Sequence, residues 1–410
     1  MSDSTRRRTR LGPGLIITAS FVGPGTVTTA TVTGASYGFA LAWTIVFSIV
    51  ATIVLQEMAA RLGLATRQGL GEALRATFTH PVGRWFVIVL IVAAIGVGGA
   101  SYAGGDTTGT SLGLATLTQL PQPVVVLGVG ATVFALLATG SYRRIEQVLV
   151  LLVGVMSAVF VLTAIVVAPD LAALLNGILV PTIPSGALLT TVALIGTTVV
   201  PYNLFLHASL VQEKWADTDT EQALTESRRD TVLSISLGGL ITLAILTTAA
   251  ASLFVNGISA TSSAAMAGQL EPVLGPAAPY VFALGLFAAG LTSAIAGPLG
   301  AAYAISSILG WSTDLHSTGF RVIWATVVVI GVVIALTGTN PLAVIVLAQA
   351  ANGLLLPIVA GFLLVVMNSR SLLGQHRNGP LANTTGALVL LVVTGLAIYQ
   401  LADVFGLLPT

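Results

Sequence analysis

The chain has 410 residues, 55% of them hydrophobic and only 8% charged, with a mean hydropathy of +0.97. A soluble domain carries about 25% charged residues, so a water-soluble globule is excluded and a membrane protein remains. The net charge of +1 offers no basic face for nucleic acid, and the absence of cysteine excludes disulfides and thiolate metal sites.

Residues 1–10 are polar and basic, and no small-residue cleavage signature follows the first apolar run. This reads as a short amino-terminal tail and a retained first span. A membrane helix needs about 20 apolar residues. Eleven runs qualify: 11–38, 40–62, 85–118, 123–140, 145–167, 186–211, 231–255, 278–309, 321–338, 341–367 and 384–402. The expectation is an all-α membrane protein with one transport domain over residues 11–403. With the amino terminus placed inside, all 16 Lys and Arg fall on inner connections, from Arg6 through Arg377. The positive-inside rule demands such a bias, and a wrong span count would scramble it. It predicts a multi-pass plasma (inner) membrane protein with a cytoplasmic amino terminus and an outer carboxyl terminus.

The first span contains Gly23-Pro24-Gly25, which cannot continue an ordinary helix. Ser20 and Thr26 flank this run. In the second span, Glu57 lies four residues before Arg61, the spacing of a helical ion pair, which makes a boundary pair the simpler reading beside a proton-handling role. Asp106 lies inside the third run. An acid within a membrane span is a functional candidate as a proton carrier or counter-charge, and a hydrated place near the outer end of a long span is the alternative. The sixth span contains Val200-Pro201-Tyr202-Asn203, with Thr197 before it and His207 after it. His207 reads equally as hydrogen-bonded filler or as a proton-transfer residue. The acidic run from Glu213 to Glu226 reads as a solvated inner loop. Gln349 and Asn352, three apart on the tenth span, share a helix face, either toward the site or in helix–helix hydrogen bonds.

Broken helices at membrane depth leave backbone groups without water, so they persist where they line a cavity. Two of them five spans apart fit an inverted repeat of spans 1–5 (about 11–167) and 6–10 (about 186–367), with an extra helix at about 384–402. The substrate site is expected between the breaks, at Ser20, Gly23, Thr26, Thr197, Val200, Tyr202, Asn203, Gln349 and Asn352.

Several patches resemble one family. The two break sequences, Gln56 through Gly63, Tyr142 through Glu146, Ala288 through Gly297 and Gln349 through Pro357 are similar, in order, to spans 1, 6, 2, 5, 8 and 10 of the natural resistance-associated macrophage protein (NRAMP) family of divalent-metal transporters. The resemblance implies the LeuT-type fold of five plus five inverted spans. It also implies metal ligands where the family carries Asp and Asn in span 1 and Met in span 6. Those positions here are Gly23, Thr26 and Val200, and the family's first span-6 His is Tyr202. His207 stands at the second His. Of the two span-3 acids the family uses for protons, Asp106 takes the second place and Ala103 the first.

The expected site is therefore a ring of neutral oxygens, with Asp106 and Thr26 as candidate metal ligands. Such ligands suit hard ions that keep their water, as Mg²⁺ does, with Mn²⁺ second and proton coupling weak or absent. A small organic or zwitterionic solute is the alternative, since half-helix amino termini favour a carboxylate. A non-transporting sensor lacks an attached soluble domain, and an enzyme lacks a nucleophile–base pair or phosphate loop. The implied partners are the solute, a divalent cation first, and the bilayer. No cofactor is implied, and the oligomeric state is open.

Overall fold

The computed structural model describes residues 12–140, 143–337 and 340–407. The expected tail and Tyr142 lie outside them, as do the side chains of Arg143 through Glu146. Among the described residues every regular element is a helix. In chain order the first are α1 (Pro13–Phe21), α2 (Pro24–Tyr37), α3 (Ala42–Thr66), α4 (Leu70–Thr77), α5 (Pro81–Thr118), α6 (Gln122–Thr139), α7 (Arg143–Val166), α8 (Leu171–Leu179), α9 (Leu188–Thr198) and α10 (Pro201–Lys214). Then come α11 (Thr220–Ala249), which runs into a π-helical turn (Ala250–Phe254), α12 (Ser263–Ala267), α13 (Glu271–Leu274), α14 (Ala278–Leu309), α15 (Thr318–Ala335), α16 (Pro341–Met367), α17 (Arg370–Leu373) and α18 (Pro380–Val404). Among the described residues ten helical segments are long and apolar enough to cross a membrane, and the bent pair α1–α2, taken as one span, makes an eleventh.

The sequence places the starts of these helices. α1, α2, α5, α10, α16 and α18 open on proline, whose fixed φ suits the first turn and whose missing N–H needs no partner there. Asp170 and Asp219 cap α8 and α11 by accepting from free backbone N–H groups. Asp219 also corrects one expectation. The acidic run from Glu213 to Glu226 is not an open loop, because α10 continues through Lys214 and α11 begins at Thr220. The cap starts α11 well before its apolar part, and its polar first turns stand in water.

α5 is the axis of the bundle. Its 38 residues at 1.5 Å each span about 57 Å, well beyond a hydrocarbon layer of about 30 Å, so it tilts or projects. It packs mainly on α14 and α16. Small residues let the backbones close up, as membrane helix contacts require: a Cβ on Gly109 would overlap the ring of Pro24. The sixth span is the most enclosed, with 89% of its apolar window buried, whereas α18 has 22% and turns Leu388 and Leu391 outward. α1 packs on α10, and α2 packs on α9.

Two tethers hold the ends of the first span. At its start, the backbone N–H of Gly14 donates to Asp230 Oδ2 on α11 at 2.7 Å. A Cβ on Gly12 would overlap the same carboxylate. Toward its far end, the segment between α11 and α14 folds over the bundle. Its Gln269 is fully buried, donates to Thr31 Oγ1 on α2 at 2.9 Å and accepts from Thr248 Oγ1 on α11 at 2.9 Å.

Candidate functional site between two helix breaks

Proline has no N–H, so Pro24 and Pro201 each free the carbonyl four residues back, those of Ser20 and Thr197. α1 stops at Phe21. Val22 (φ −80°, ψ 63°) and Gly23 (φ −109°, ψ −170°) are not helical, and the axis turns by 55° before α2. α9 stops at Thr198, and Val199 (φ −95°, ψ 79°) and Val200 (φ −88°, ψ 120°) interrupt it. This second break lacks the sharp bend of the first: α9 and α10 continue as one span, Leu188–Lys214. Both predicted breaks are present.

The breaks meet directly. Thr26 Oγ1 and Thr197 Oγ1 are 2.7 Å apart. Thr26 already donates to the Phe21 carbonyl across its own break, so Thr197 is the donor in the pair. Ser20 Oγ lies 3.0 Å from the Asn203 amide oxygen and donates to the Ile17 carbonyl at 2.7 Å. A hydroxyl has one proton to give. With the Asn203 amide turned by half a turn, its Nδ2 donates to Ser20 Oγ while that hydroxyl donates to Ile17, and the amide oxygen becomes the buried atom without a partner among the described residues. The freed Ser20 carbonyl accepts only long contacts, 3.5 Å each, from Tyr102 Oη and Ser293 Oγ.

An acid reaches the breaks from α5. Asp106 is fully buried, and neither carboxylate oxygen has a hydrogen-bond partner among the described residues. Its Oδ1 lies 3.6 Å from the point where a Cβ on Gly23 would sit, and Ser293 Oγ lies 2.5 Å from that point. Gly23 is thus a contact glycine, closed in by α14 and α5. Gly25 is another, because a Cβ there would overlap the Gln349 amide. Both amide atoms of Gln349 are buried without partners among the described residues, as are Thr198 Oγ1 and Tyr202 Oη. A buried unpaired carboxylate costs several kcal/mol, roughly, unless a cation or proton offsets it.

The remaining predicted residues have partners of their own. Val200 belongs to the main apolar core. The Tyr202 ring packs on Gly300 of α14 and edge-on against Tyr102, at 5.8 Å between centroids and 83° between planes. Asn352 lies against Gly98 on α5, about 12 Å along that helix from Asp106. His207 Nδ1 meets Gln56 Oε1 at 3.0 Å, on the α10–α3 contact. Glu57 pairs with Arg61 at 3.2 Å, and Arg61 also reaches the His376 carbonyl and Asn378, so this group holds the stretch before α18. Two neighbours of the site were not on the sequence-derived set. Tyr102 had a signal, since it precedes Asp106 by one helical turn. Ser293 lies in the Ala288–Gly297 patch, but only the fold sets α14 against Gly23. No group of three or more His, Cys, Asp or Glu side chains that could hold a metal is found among the described residues. A cation here would meet one carboxylate and neutral oxygens.

The family model for natural resistance-associated macrophage protein-like proteins matches residues 14–403. The chain belongs to the NRAMP family. NRAMP proteins are membrane carriers, so this is a transport protein and not an enzyme. Among its relatives, the divalent metal cation transporter MntH of Yersinia pestis (strain Pestoides F) is 28% identical over 97% of each chain. MntH of Pectobacterium carotovorum subsp. carotovorum is 27% identical over 98% of this chain and 97% of its own. Among solved structures, a point mutant of the manganese transporter of Eremococcus coleocola superposes with TM-score 0.78 at 22% identity, over 97% of this chain and 88% of that one. The nucleobase-cation-symport-1 family transporter Mhp1 superposes at 0.55 and 16% identity, over 98% and 94%. These likenesses establish the fold: the LeuT-type NRAMP bundle, all-helical and multi-pass, broken in spans 1 and 6.

Proposed function

We propose that this protein carries a hard divalent cation, Mg²⁺ first and Mn²⁺ second, through the gap between the two breaks, with weak or no proton coupling. One observation carries the reading: the buried Asp106 carboxylate faces Gly23 with no partner among the described residues. A divalent ion at membrane depth needs a counter-charge, and this carboxylate supplies it from α5. Thr26, Thr197, Ser20, Asn203 and Gln349 add neutral oxygens, which suit a hard ion better than a soft one. The naming of relatives as divalent metal cation transporters agrees with the class of substrate. A carboxylate-bearing organic solute fits poorly, since Asp106 would repel it. Weak proton coupling follows from Ala103 and Tyr202, where the resemblance would place an acid and a His. The charge bias orients the bundle with its amino terminus in the cytoplasm.

Isotopic uptake into proteoliposomes tests this. Mg²⁺ is expected to accumulate faster than in empty vesicles, at a rate that an imposed pH gradient leaves unchanged. Uptake equal to that of empty vesicles for both Mg²⁺ and Mn²⁺ overturns the cation reading. A rate that follows the gradient overturns the coupling.

A further inference from the structure

The two hydrogen bonds between the breaks obey one rule. Ser20 stands four residues before Pro24, and its partner Asn203 stands two after Pro201. Thr197 stands four before Pro201, and its partner Thr26 stands two after Pro24. Each bond thus joins the same two places, exchanged between the repeats, as a pseudo-two-fold axis through the site requires. All four side chains are buried, at 2% exposure or less.

The rule has a spatial consequence. Thr26 and Thr197 belong to α2 and α9, which pack together on the side of the breaks away from the amino terminus. Ser20 and Asn203 belong to α1 and α10, which pack together on the amino-terminal side. One bond therefore lies on each side of the breaks.

We propose that these two bonds are the opposed latches of the carrier. Thr26–Thr197 holds the α2/α9 face shut, Ser20–Asn203 holds the α1/α10 face shut, and each parts while the other stays made. The structure has both made, which is the closed intermediate. The same four side chains are among the oxygens proposed to meet the cation, but the labelling test below needs no cation, so its failure and that of the cation reading are distinguishable. The chemistry favours a latch over a rigid brace. Each bond is a single neutral pair, worth a few-fold in population, which is small enough to break in every cycle.

The absence of cysteine makes the test direct. Thr29→Cys and Leu206→Cys, each one turn beyond a latch residue on opposite faces, are made singly in the full chain. Their modification by a membrane-impermeant charged thiol reagent is then timed from either side of oriented vesicles. Thr197→Val keeps the shape of the side chain and removes the hydroxyl. It is expected to speed labelling at Thr29→Cys by roughly three- to tenfold and not at Leu206→Cys. Ser20→Ala is expected to do the reverse. Thr197→Ser, which keeps the hydroxyl, should label as the parent does. If Thr197→Val fails to fold, Thr197→Ala breaks the same bond and must give the same one-sided change. Equal changes at both reporters, or none at either, overturn the proposal.

Discussion

Gly23 is the residue on which the site turns. The resemblance places a metal-binding Asp there, and the space for any side chain is taken by Ser293. The acid comes instead from Asp106, one helix away. Asp106→Asn removes a charge whose loss from a buried pair costs about 3 kcal/mol or more, so half-saturation for the cation should rise roughly a hundredfold. The same variant should melt no lower than the parent in cation-free detergent, because the unpaired charge is gone; a lower melting point there would argue that Asp106 has a protein partner. The steric claim has its own cycle. Gly23→Ala should destabilise by about 1–3 kcal/mol through overpacking. Adding Ser293→Gly should return most of that, and strict additivity in melting measurements would mean that the two positions do not touch.

At the scale of elements, the breaks exist because two prolines withhold two donors. Pro201→Ala gives the Thr197 carbonyl a backbone partner and lets α9 and α10 join. Since the halves lack the sharp bend of the first span, that variant should gain stability, up to about 3 kcal/mol. It should also lose uptake, because the interruption that frees the Thr197 carbonyl is gone. A stable variant with full uptake would mean that the second interruption is incidental. Pro24→Ala should gain less, because a 55° bend cannot be straightened without moving α1 off Asp230.

For the molecule as a whole, most of the fold was legible. Spans show in hydropathy because a membrane leaves few other ways to bury an apolar run, and 341–367 returns as α16, Pro341–Met367. What was not legible follows from what hydropathy cannot see. The polar first turns of α11 are helical through a cap at Asp219, and α8, α12 and α13 are too short to register. In the site, Ser20, Thr26, Thr197 and Asn203 could each be named from the breaks, but their pairing across a two-fold needed the bundle. Ser293 and the turning aside of Tyr202 onto Gly300 needed it too. The charge bias makes a prediction at this scale: a tag on the carboxyl terminus should be reached by antibody on intact spheroplasts without permeabilisation. Access only after lysis would invert the bundle.

Gln269 ties these scales together. One buried amide is shared between Thr31 on the kinked span and Thr248 on its neighbour. The segment that carries it is therefore pinned to α2 and α11 at once: a lean of α2 against α11 breaks at least one of the two hydrogen bonds.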